Sequence, residues 1–212
     1  MRKMTLLLLA IGGMVLSLLI PTMSAQADEP PPSGAITLDL TAVNCGTAAV
    51  AVAPDHTAFA VTYSDFTAKV GPSVQPTDRR VNCHLVMLAH VPQGFTYAIT
   101  EADYRGYAHL ATGAWGIETA SYYFQGSLGT IYRQHRIDGP RDDNFEFTDQ
   151  TPIAALVWAP CGALRNFNVN TELRVNAGSS DPSRTPSYLT MDSTIYPLAW
   201  NSTIYHLAWK HC

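Results

Sequence analysis

The stretch Asn166 to Val175, NFNVNTELRV, alternates without a break. Phe167, Val169, Thr171, Leu173 and Val175 take one side, and Asn166, Asn168, Asn170, Glu172 and Arg174 take the other. A period of two belongs to a β-strand with one dry and one wet face, not to a helix, whose apolar positions recur every three or four residues. The pattern returns along the chain between turn signals. Ile36, Leu38, Leu40 and Ala42 oppose Thr37, Asp39 and Thr41, and Thr47 to Ala53 and Thr57 to Tyr63 flank Pro54-Asp55-His56 as a hairpin would. Val81 to Val91 is apolar on both faces and reads as a central strand between layers, ended by Pro92-Gln93-Gly94. Phe95 to Leu110, Ile117 to Phe124 and Thr130 to Ile137 follow as further strands. No window of a dozen residues carries a helical period. Many short strands among 14 glycines and 14 prolines predict an all-β fold, an antiparallel β-sandwich of jelly-roll type, with a barrel as the alternative.

The N-terminus reads as an export signal. Arg2 and Lys3 precede an apolar run from Thr5 to Ile20, Pro21 breaks it, and Ala25-Gln26-Ala27 offers small residues for cleavage. The run is shorter than the roughly 20 residues a membrane-spanning helix needs. The expected organisation is a signal peptide over residues 1–27, a Pro-rich polar lead-in over 28–34, and one β-sandwich domain over 35–212. The expected location is outside the cell, with no membrane attachment after cleavage.

Cys45, Cys83, Cys161 and Cys212 all lie beyond the signal, and an even count in an exported chain reads as two disulfides. Zinc sites call for closely spaced pairs such as C-x-x-C, and none is present. Four cysteines allow three pairings. Cys45–Cys83 with Cys161–Cys212 is preferred, because both are sequence-local and the second secures Cys212. Of 13 Lys and Arg, two fall in the signal, leaving 11 against 17 Asp and Glu, a net charge of −6. That balance argues against nucleic acid as a partner.

The signatures of common catalytic machinery are missing: no G-x-S-x-G, no H-E-x-x-H and no phosphate-binding glycine loop. Weaker constellations remain. On a strand, Glu101, Asp103, Arg105, Tyr107 and His109 share one face, and the two carboxylates stand roughly 7 Å apart, within the range of paired-carboxylate glycosidases. A solvated sheet face explains them more simply. Asp138-Gly139-Pro140-Arg141-Asp142-Asp143-Asn144, with Glu146 and Asp149, reads as an acidic loop. Calcium would suit its oxygens, but its spacing is not that of an EF-hand, and a polar turn is the simpler reading. His84 and His90 share a strand face about 20 Å apart and cannot hold one metal. Trp115, Tyr122 and Tyr123 are candidates for stacking on sugar rings, or for packing in the core. No cofactor and no metal is expected.

The octet STIYPLAW at 193–200 returns as STIYHLAW at 202–209, with Pro197 replaced by His206. The nine-residue offset is odd, so one continuous strand would point the two apolar stripes to opposite faces. Ser202 to Lys210 is therefore expected in the sheet, and Ser193 to Trp200 as an edge strand or loop.

Asn44-Cys45-Gly46, Val70-Gly71-Pro72, Asn82-Cys83-His84-Leu85, Tyr104-Arg105-Gly106-Tyr107, Trp158-Ala159-Pro160-Cys161-Gly162 and the closing Trp209-Lys210-His211-Cys212 together resemble a family of small secreted proteins of bacteria and fungi, domain of unknown function 4360. The resemblance runs from Asn44 to Cys212 and implies a secreted, disulfide-bonded domain. It carries no catalytic residues over. The chain departs from the family pattern at Gly46, where a proline is common, and in its doubled closing strand.

The function expected from these features is a non-catalytic secreted module binding an extracellular surface, glycan or protein. Its candidate binding face is Glu101, Asp103, Arg105, Tyr107, His109 and Trp115. The alternatives are an extracellular hydrolase using Glu101 or Asp103 with His109, and a structural envelope or matrix protein.

Overall fold

The structure, a computed structural model, describes residues 30–32, 36–191 and 201–212. Among these residues, twelve strands form two antiparallel sheets packed face to face. The first sheet runs β1 (Thr37–Val43), β5 (Arg80–His90), β10 (Asn166–Asn176), β7 (Trp115–Phe124), β8 (Thr130–Asp138). The second contains β2 (Thr47–Val52), β3 (Ala58–Ser64), β12 (Thr203–His211), β6 (Phe95–Leu110), β11 (Ser187–Thr190) and β4 (Thr67–Val70), with β9 (Arg141–Gln150) also paired to β6. The all-β sandwich expected from the alternation is the fold observed.

Most strands bury the side their period assigns to the core; in β1, a bulge between Leu40 and Ala42 leaves Ala42, expected inside, exposed and packs Val43 against the core instead. Leu85 and Met87 from β5 and Phe167, Val169 and Leu173 from β10 meet Phe59, Val61 and Tyr63 from β3 and Tyr205 from β12. Burying each such side chain contributes about 1.5–3 kcal/mol. Rings lock the layers: Phe59 stacks on Tyr205 at 5.0 Å and meets Phe167 edge-on at 6.1 Å. Inward on β6, Gly106 stands opposite Phe145 of β9. A Cβ there would strike the Phe145 ring and the Thr190 carbonyl, so the missing side chain is the space the ring fills.

Strand β6 changes face partway. It pairs with β12 in steady register from Phe95 to Ile99, then skips one residue between Leu207 and His206. Thr100 is the extra residue of this β-bulge. Before it, odd-numbered Tyr97 and Ile99 point inward; after it, even-numbered Ala102 and Tyr104 do. Without the bulge, Glu101 and Asp103 would face the core.

The disulfides are Cys45–Cys83 and Cys161–Cys212, the preferred pairing. Both sit where the chain crosses between layers: Cys45 lies between β1 and β2, and Cys161 between β9 and β10. With separations of 38 and 51 residues, each stabilises by roughly 4 kcal/mol on chain-entropy grounds.

Three expectations need correction. β5 is not dry on both faces: Leu85, Met87 and Ala89 are buried, while Val86 and Leu88 are half-buried on the outer side between β1 and β10. The acidic stretch Asp138 to Asp149 is not a loop but the end of β8, a turn at Gly139-Pro140 and edge strand β9. Its acids point to both faces and meet different partners, so they do not converge on one ion. The hydrolase trio is also not brought together. His109 lies eight residues beyond Glu101 on the same strand, about 26 Å away, and pairs with Asp142 instead. The second copy of the octet enters the sheet as β12, as expected; the first copy and the signal peptide lie outside the described residues.

Candidate functional site

Three polar regions stand apart from ordinary solvated surface. The first is the outer face of the second sheet. The bulge turns Glu101, Asp103, Arg105, Tyr107 and His109 outward along β6, as the alternation expects, and neighbouring strands supply a partner to each. Arg105 Nε donates to Glu146 at 2.8 Å. Tyr107 Oη and His109 Nδ1 both meet Asp142 Oδ1 at 2.8 Å, and His109 stacks on Tyr188. Those two hydrogen bonds hold the Asp142 carboxyl below its usual value. At the other end, His206 of β12 stands opposite Glu101. Its Nε2 lies 3.0 Å from Asp103 Oδ2 and 3.7 Å from Glu101 Oε1. Burial works against ionisation of Asp103, but hydrogen bonds from Thr148 and His206 outweigh it and keep its carboxyl low. Trp115 does not join this face. It begins β7 in the other sheet, where the Arg136 guanidinium covers its ring at 4.4 Å.

The second region is the outer face of the first sheet. Register lines up His84, Asn170, Ser121 and Tyr132 across four strands, and Asn82, Glu172, Thr119 and Gln134 in the next row. Between them runs a groove of about 410 Å³. Both oxygens of Glu172 are occupied, by Arg80 at 2.6 Å and Arg174 at 2.7 Å. Four of its neutral side chains are unpaired: among the described residues, Asn82, Thr119, Ser121 and Asn170 form no side-chain hydrogen bond within the protein. Tyr132, 57% exposed, lays its ring at the rim and donates its hydroxyl to Gln134 at 3.0 Å. The alternation marks this face as wet; what it does not show is that the four strands align amides and hydroxyls in rows. Of the aromatic residues singled out from the sequence, Tyr122 belongs to the core and Tyr123 is half-buried on this outer face.

The third region is inside. Glu118, on the core side of β7, is fully buried, and the imidazole of His135 on β8 bridges it to Asp149 on β9. Nδ1 lies 2.8 Å from Glu118 Oε2 and Nε2 lies 3.2 Å from Asp149 Oδ1. With a proton on each ring nitrogen, the imidazole donates to both acids at once. Burial alone would lower its pKa, but the hydrogen bond and charge of Glu118, with those of Asp149, hold it above the usual value. Burial likewise pushes the Glu118 carboxyl up, which His135 only partly offsets. The ring stacks on Phe147 at 4.3 Å, nearly parallel. Nothing in the sequence marked this bridge, because its members lie on three strands and Glu118 reads as an ordinary wet position.

The chain is 30% identical over 173 residues to an uncharacterized secreted protein of Arthroderma benhamiae, covering 74% of this chain and 71% of that one. Among solved structures, the enzymatically active domain of tailspike protein 4 from bacteriophage CBA120 matches at 10% identity and a TM-score of 0.25. That match covers 84% of this chain but only 19% of the tailspike chain. A family model described as domain of unknown function DUF4360 matches residues 44–212, and the chain belongs to that family.

Proposed function

We propose that this chain is an exported, non-catalytic binding module whose groove on the first sheet takes a neutral extracellular glycan. The observation that carries the reading is the row of unspent neutral groups along that groove. Asn82, Asn170, Thr119 and Ser121 offer amide and hydroxyl donors and acceptors with no partner of their own, and the Tyr132 ring gives an apolar platform beside them. Sugars need this combination, because hydroxyls demand hydrogen bonds while the ring faces are apolar. The face bearing Glu101 to His109 suits a sugar less well, since cross-strand contacts already occupy its polar groups. Arg80 and Arg174 occupy both oxygens of Glu172 and leave the groove without a free carboxylate. Two disulfides and the secreted relative support a place outside the cell.

Titration calorimetry with cellohexaose, chitohexaose, laminarihexaose and xylohexaose, preceded by a glycan array, tests this. At least one should bind, and Asn170→Ala and Tyr132→Ala should each weaken binding by about tenfold or more, the loss of one well-placed contact, with unchanged circular dichroism. An array with no hits, or binding indifferent to both variants, would remove the groove as the site.

A further inference from the structure

We propose that Glu101, Asp103 and His206 form a divalent transition-metal site on the outer face of the second sheet. The site is independent of the glycan groove, which lies on the opposite layer. Glu101 Oε1, Asp103 Oδ2 and His206 Nε2 come within 4.8 Å of one another. His206 Nε2 stands 3.0 Å from Asp103 Oδ2 and 3.7 Å from Glu101 Oε1. A tetrahedral ion with bonds near 2.0–2.1 Å spaces its ligands about 3.3 Å apart, and the two separations from His206 lie on either side of that value.

The carboxylates are oriented for this role. Glu101 Oε2 accepts from Gln150 Nε2 at 2.9 Å, and Asp103 Oδ1 accepts from Thr148 Oγ1 at 2.6 Å. Each acid thus has one oxygen tied back by β9 and its other oxygen turned toward the imidazole. Such outer-shell hydrogen bonds are what aim first ligands at a metal. An imidazole N–H can serve only one of the two facing oxygens. At 3.7 Å, Glu101 Oε1 is beyond hydrogen-bond reach of His206. A cation between the three would satisfy all of them. One nitrogen and two oxygens suit Zn²⁺, Mn²⁺ or Co²⁺ rather than Ca²⁺, which seeks six to eight oxygens. The solvent side of the sheet leaves coordination positions open for water or an exogenous ligand.

Two sequence features converge here. The bulge at Thr100 brings Glu101 and Asp103 to this face, and His206 is the one letter by which the second octet differs from the first. A proline at that point could supply no ligand.

Chelator-treated full-length protein, free of any histidine tag, should bind one equivalent of Zn²⁺ by calorimetry. It should give a Co²⁺ visible spectrum of low coordination number and show no response to Ca²⁺. His206→Gln and Glu101→Gln should each abolish the Co²⁺ spectrum while leaving the fold intact. Thr148→Val, which touches no ion, should weaken Zn²⁺ binding by about 10–100-fold. Zn²⁺ binding absent from the wild type, or retained in both His206→Gln and Glu101→Gln, would overturn the site and leave the trio as an ion pair alone.

Discussion

Replacing His135 with phenylalanine would separate the ring's packing from its charge. Phenylalanine keeps the stack on Phe147, which sits 4.3 Å away at an interplanar angle of 7°. What is lost is the donor to Glu118, a side chain with no solvent exposure whose second oxygen already lacks a hydrogen-bond partner, and the donor to Asp149, which keeps Arg133 at 3.8 Å. Removing one member of a buried charged pair costs about 3–5 kcal/mol, because the other is left uncompensated. For a domain of this class, with net stability of about 5–15 kcal/mol, that is about a fifth or more of the total. Adding Glu118→Leu should recover the part of the loss that comes from Glu118, since an apolar pair of similar volume often replaces a buried ion pair without penalty. Urea denaturation with the disulfides intact gives the midpoints.

The pH dependence follows with its sign. His135 holds its proton more tightly in the folded state, so its contribution is complete below about pH 6.5, the unfolded imidazole's value. It is lost as pH rises through the raised folded value. Glu118, also raised, acts in the same direction from its ordinary 4.5 upward. Wild-type stability should therefore fall as pH climbs above 4.5 through Glu118 and further above about 6.5 through His135, and the double variant should fall less. A loss under about 1 kcal/mol for His135→Phe, or a double variant no more stable than the single one, would refute the picture of a coupled buried bridge.

Trp209→Ala should cost about 3–5 kcal/mol by the same assay, because the indole is 2% exposed and its Nε1 donates to the His56 carbonyl at 3.1 Å. Mass spectrometry of the culture supernatant should find a product beginning at Asp28; an intact Met1 or a membrane-bound product would exclude the cleavage expected after Ala27.

The readable parts of the fold were those set by local alternation. Asn166 to Val175 shows its two faces in ten letters, and Glu101 to His109 share the side their spacing assigns. The disulfide pairing was legible because each bridge joins cysteines adjacent in sequence order. What depends on juxtaposition was not legible. His206 meets Asp103 across 103 residues of chain, and no spacing rule links them. Arg141 to Asn144 reads as a loop because acids and amides have low strand propensity. On an edge strand, such charges serve to block pairing with another chain. Trp115 looked like a partner for the Glu101 row only because the sequence does not say which sheet each strand joins.

The position of β12 also sets the order in which this molecule can assemble. β12 lies between β3 and β6, and Tyr63 and Thr203, which meet across one of its seams, are 140 residues apart. Closing a loop of that length costs on the order of 4–5 kcal/mol before any contact rewards it. Until residues 203–211 insert, the β2–β3 hairpin has no strand on its inner side and is marginal by itself. Folding is therefore expected to be slow, on the millisecond-to-second scale of sheets built from distant segments. For that interval the inner edges of β3 and β6 stay open to other chains.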